Sequence, residues 1–173
     1  MPAANPRAER LATELEAAQA DFIRLVETLT PAQWRVVGAN YPQRFNDEDE
    51  GRPVGVIAHH VAVSGPVIMD RIRRMSEGRD LPSVDFRAIN AGHAAEHAAA
   101  TREEVLGLLR DTGHEIAGAV RGIEDGRLDR SRDTPAGPLS VAQRLERVLI
   151  GHLRVHQGSI EAAIAAAAAP VEE

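Results

Sequence analysis

Apolar side chains recur at alternating steps of three and four through most of this chain, the spacing that lines one face of an α-helix. The first such pattern runs from Pro6 to Leu29 and is seamed by Leu11, Leu15, Ala18, Phe22, Leu25 and Leu29. Asn5 stands at its N-cap position and Pro6 at the first helical position. The stretch "TPAQWR" predicts a short extra helix opened by a capping box of Thr30 and Gln33. A second long pattern, Pro53 to Met75, keeps Ile57, Val61, Ser64, Ile68, Ile72 and Met75 on one face, and Gly65-Pro66 is expected to kink or break it. A third spans Ile89 to Gly122 with Ala94, Ala98, Val105, Leu109, Thr112 and Ile116. The fourth opens at Ser140, boxed by Gln143, and continues to Ala169 through Val141, Leu145, Val148, His152, Val155, His156 and Ser159. Strand-like alternation is absent, and no repeat is visible. Four amphipathic helices of this length predict an all-α four-helix bundle with a short extra helix and long polar loops. One of those loops is "GANYPQRFNDEDEGR", whose acidic run reads as a solvated turn.

Composition narrows this picture. At 173 residues the chain suits one domain, 1–173, with residues 168–173 expected to fray. Aromatic residues make up only 3%, so Ala, Val, Leu and Ile must fill the interior, which favours closely packed helices. Every basic residue is Arg, a bias that carries no functional information by itself. The formal charge of −6 is spread along the chain, with no basic stripe and no aromatic stacking cluster, which disfavours nucleic-acid binding. There is no cysteine, so disulfides, thiolate metal sites and a Cys nucleophile are excluded. The polar N-terminus "MPAANPRAER" and the lack of a long apolar segment predict a cytoplasmic protein outside the membrane.

Histidine is the residue that carries candidate chemistry. At about 100° per residue, His152 and His156 fall about 20° and 60° from Val141, inside the apolar sector of the fourth helix. In "AHHVA" the neighbouring pair must split: relative to Ile57, His60 falls near about −60°, inside the apolar sector, and His59 near about 200°, among solvent-facing positions. His93 and His97 lie on the flank of the third helix's face, with Asn90 nearer its seam. That pair either borders a site or is exposed, and His114 has no partner at useful spacing. Buried imidazoles need partners for their ring nitrogens. Three converging on one interior, His60, His152 and His156, without a thiol or an obvious buried carboxylate, point to a metal site. Three neutral imidazoles suit Zn²⁺, with Ni²⁺ or Fe²⁺ as alternatives, and leave a coordination position open for water or a thiol. HExxH, Walker A, GxSxG and strand-bound GxGxxG patterns are absent.

"PVGVIAHH" resembles the segment carrying the first ligand in the DinB/YfiT-like four-helix bundles, and "HLRVHQGSI" resembles their last-helix motif with two histidines four apart. "LTPAQWR" is similar to the region after their first helix. The likeness runs along nearly the whole chain in order and spacing. It implies His60, His152 and His156 as the metal ligands, the same three that helical phase selects. It also implies metal-dependent thiol S-transferase or isomerase relatives using low-molecular-weight thiols such as mycothiol, bacillithiol or glutathione. The sequence departs from the pattern where "DEGRPV" replaces a tryptophan before the first-ligand helix.

The leading expectation is therefore a metal-dependent enzyme, a thiol transferase or small hydrolase acting on a small electrophilic molecule. Asn90 and His97 are candidates for orienting substrate or carrying protons. A non-catalytic metal or small-ligand module, such as a sensor, is the alternative, and a helical interaction protein with structural histidines is a third. An apolar helix face or the Ala-rich "IEAAIAAAAAP" is compatible with a homodimer.

Overall fold

The computed structural model describes residues 5–38, 51–134 and 137–169. Helix α1 (Pro6–Thr28) is followed by a 3₁₀ turn (Gln33–Arg35), then α2 (Val54–Ser76), α3 (Phe86–Glu96) and α4 (Arg102–Arg121). A second 3₁₀ turn (Asp125–Arg127) leads to a two-residue antiparallel ladder, β1 (Ser131–Arg132) with β2 (Leu139–Ser140). The chain ends in a helical rod made of α5 (Val141–Arg144), a π-helical stretch (Leu145–Ile150) and α6 (Gly151–Ala168). The fold is an all-α bundle. Most of the acidic loop and the last residues of the tail lie outside the described residues. No helix among the described residues is long and apolar enough to cross a membrane.

The seams expected from periodicity form the core. Leu11, Leu15, Ala18, Phe22 and Leu29 of the first segment meet Ile57, Val61, Ile72, Val105, Leu109, Leu145 and Leu149 in one apolar cluster. Helix α1 packs chiefly on α4, while α2 packs on α4 and α6 and carries α3 on its flank. Both expected capping boxes on short segments are present: Thr30 Oγ1 accepts from Gln33 N at 3.2 Å, and Ser140 Oγ accepts from Gln143 N at 3.1 Å.

Three expectations are corrected. The third pattern is two helices, because Thr101 accepts from Glu104 N while the Glu104 carboxylate faces Thr101 N, and this capping box starts α4 afresh. Helix α2 runs through Pro66 without a break. Its halves are separately anchored, by Val54–Ala62 on one side and by Met69, Ile72 and Met75 on the other, and Pro66 itself is exposed. Asn5 occupies the N-cap position of α1 but its side chain caps nothing there. The carboxylate of Asp125 does so from outside the helix, accepting from Arg7 N at 3.1 Å and Ala8 N at 3.0 Å.

Trp34 fixes where the α3–α4 turn sits. Its indole Nε1 donates to Ala100 O at 3.0 Å, and its ring lies against Gly55, where a Cβ would collide with it.

Candidate metal centre

Six of the seven histidines gather around the first half of α2. His60 comes from α2, and His152 and His156 come from adjacent turns of α6. His60 Nε2 lies 3.1 Å from His152 Nε2, and His156 Nε2 lies 3.2 Å from the same atom. These separations approach the edge of a tetrahedron built on metal–nitrogen bonds of about 2.0–2.1 Å, which is about 3.3–3.4 Å. Ser64, one turn along α2, places its hydroxyl beside the His60 ring, 3.4 Å from Nδ1 and 3.5 Å from Nε2. Ser159, on the same face of α6, has a buried hydroxyl with no hydrogen-bond partner among the described residues.

Hydrogen bonding alone satisfies this arrangement poorly. An imidazole nitrogen carries either a proton or a lone pair. His152 Nε2 therefore cannot donate to one neighbour and accept from the other, and the contacts at 3.1 and 3.2 Å compete for one role. A cation accepts all three lone pairs at once. The donor set fits a divalent metal.

Electrostatics keep His152 in the form that ligates. Burial, reinforced by His156 and His60, pushes the His152 imidazole well below its ordinary titration range. No carboxylate compensates it there, so the neutral form prevails at physiological pH.

The structure brings together the three residues selected by helical phase, and it adds a second group that phase analysis missed. His59, placed on the solvent side by that analysis, is only 2% exposed. Its half of α2 is buried on every side, so no outward face exists for it to occupy. Its Nδ1 lies 2.8 Å from His93 Nε2. His97 stacks on it with ring centroids 4.0 Å apart and planes at 20°. His97 thus sits with His59 and His93. Asn90 is half-buried on the same face of α3 as these two. Burial first, then His59, His97 and Arg52, push His93 down to about 4. Burial and His97 also lower His59, against an opposing pull from Glu104. The signal in the sequence is the absence of any charged residue from Pro53 through Ala62, the part of α2 that is buried on every side rather than on one face. His114 is exposed and apart from both groups.

A family model described as DinB superfamily matches residues 14–160. The chain belongs to the DinB superfamily. The matched span holds all six gathered histidines, and with them the whole of the "PVGVIAHH" and "HLRVHQGSI" segments that carry the resemblance. No curated protein and no solved structure matches this DinB-superfamily chain. A cleft of about 490 Å³ opens between Trp34, Gly55 and the Ala98–Thr101 turn that follows His97, and none of the six histidines lines it.

Proposed function

We propose that this DinB-superfamily protein is a divalent-metal-dependent enzyme that transfers a low-molecular-weight thiol, or water, to a small electrophilic substrate. His60, His152 and His156 would hold the ion, with Zn²⁺ the best match to three neutral imidazoles and Ni²⁺ or Fe²⁺ as alternatives. A bound divalent cation supplies positive charge that lowers the pKa of a thiol or water beside it, so that a nucleophile is available near neutral pH. The observation that carries this reading is the convergence of three Nε2 atoms, two of their separations being 3.1 and 3.2 Å, in a set that hydrogen bonds cannot satisfy together.

The chain's own residues contribute position and charge. His60 has the Ser64 hydroxyl beside its ring. His152 and His156 hold their spacing through the regular α6 backbone, one turn apart. The three rings bring no negative charge, so a bound cation keeps its full charge for an anionic nucleophile. Asn90, half-buried on α3, would orient substrate.

The test begins with elemental analysis of purified protein. H152A/H156A should lose at least one ion per chain relative to wild type, and metal content unchanged in that variant overturns the assignment. A screen of thiols against electrophiles follows, with wild type active and the variant reduced at least 100-fold. A metal-loaded wild type inert toward every pair would favour a sensor or storage role.

A further inference from the structure

We propose that His59, His93 and His97 form a second divalent-cation site, separate from the His60/His152/His156 triad. Three imidazoles from two helices offer ligand atoms that all lie within 4.8 Å of one another. Their proton bookkeeping does not close. If His93 Nε2–H donates to His59 Nδ1 across the 2.8 Å contact, then His93 Nδ1 is a buried lone pair, and it has no partner among the described residues. If His93 carries its proton on Nδ1, that proton is buried and unpaired. His59 Nδ1–H can then donate to His93 Nε2, but the His93 Nδ1 proton stays without a partner among the described residues. A cation that takes one lone pair from each ring replaces the imidazole–imidazole contact with metal–ligand bonds.

The surroundings match a ligated imidazole. Glu104 Oε1 lies 3.7 Å from His59 Nε2, on the side of the ring opposite Nδ1. A carboxylate on that side favours the tautomer with the proton on Nε2, which turns the Nδ1 lone pair toward His93. The Thr101–Glu104 capping box sets the start of the helix that carries this carboxylate. All-imidazole donors select borderline cations such as Zn²⁺, Ni²⁺ or Cu²⁺ over Mg²⁺ or Ca²⁺, which take oxygen ligands.

The two triads abut. His59 and His60 are neighbours in the chain, and the His60 and His93 ring centroids are 5.6 Å apart, edge to face. Two dications so close, held by neutral rings, repel each other, and the half-exposed Glu104 offers a compensating charge beside the second triad. The second ion therefore binds more weakly than the first.

Counting ions in chelator-stripped, refilled protein tests this. Wild type should bind two Zn²⁺ per chain in unequal steps, H93A/H97A one, and H152A/H156A one. E104Q should weaken only the weaker step, by about tenfold, because the carboxylate beside His59 Nε2 is lost. A single ion in wild type, or a second ion that survives H93A/H97A, overturns the second site. Retention of both ions by H152A/H156A instead overturns the first assignment, so the two fail separately. Should H93A/H97A lose the helical far-UV spectrum, H97Q alone provides the count. The visible bands of Co²⁺ at the second equivalent should then weaken or shift, and an unchanged second step again overturns the proposal.

Discussion

At the scale of single residues, the protonation of buried imidazoles ties the candidate site to stability. His93 titrates at about 4 in the fold, whereas an unperturbed His titrates near 6.5. Between those values the unfolded chain binds more protons than the folded one, so stability rises with pH there. The contribution is complete above about 6.5, is lost as pH falls toward about 4, and is level below that. His59 and His152 are shifted in the same direction and add to the slope. Urea midpoints of chelator-treated protein should therefore drop between pH 7 and pH 4.5, and H93A should show a shallower drop. A flat profile over that window would mean that these rings are not held neutral. Metal binding should weaken over the same range, because protons compete for the same lone pairs.

At the scale of elements, the fold depends on partners that local patterns only partly reveal. Asp125 caps α1 from a turn more than a hundred residues away, so D125A should cost about 0.5–2 kcal/mol while N5A costs less, read from urea denaturation. Gly55 admits the indole of Trp34, and G55A should cost about 1–3 kcal/mol by overpacking that contact. The seams of α1, α2, α4 and the last rod were legible because their apolar faces repeat at the helical period, and the boxes at Thr30 and Ser140 because both partners lie within four residues. The break before α4 was legible in principle, since Thr101 and Glu104 have capping-box spacing, but the apolar period running through "HAAEHAAA" hid it. His59 was not legible from phase, because phase presumes one wet face and the first half of α2 has none. Asp125 was not legible at all, since nothing local links it to Arg7. The π-helical stretch widens the turn before Gly151, so the phase of His152 counted from Val141 drifts across it. The i, i+4 pairing of His152 with His156 lies beyond that stretch and is unaffected.

At the scale of the whole molecule, bound ions should act as staples between elements that the apolar core joins unevenly. Helix α3 has eleven residues and none of them is buried. A helix this short is marginal on its own. Its attachments to α2 include the His59–His93–His97 stack and the Arg71 guanidinium 5.3 Å from the Phe86 ring. Helix α6, by contrast, contributes Leu153, Ile160 and Ala163 to the core and should stay docked without a metal. An ion that binds only the folded chain stabilises it by about 2.7 kcal/mol when free ion is a hundredfold above Kd. For a domain of this size that corresponds to a rise in Tm of about 5–11 °C. Adding a chelator should reverse the rise, and a Tm indifferent to both treatments would mean that the histidines serve only as packing. Hydrogen exchange then locates the effect. Amides of α3 should exchange faster in stripped protein and slow on Zn²⁺ addition, while those of α1 and α4, joined through the apolar core, change little. H93A/H97A should leave α3 equally exposed with and without Zn²⁺. Protection of α3 that persists in that variant would show its docking to rest on other contacts, and would confine the stapling to the α2–α6 triad.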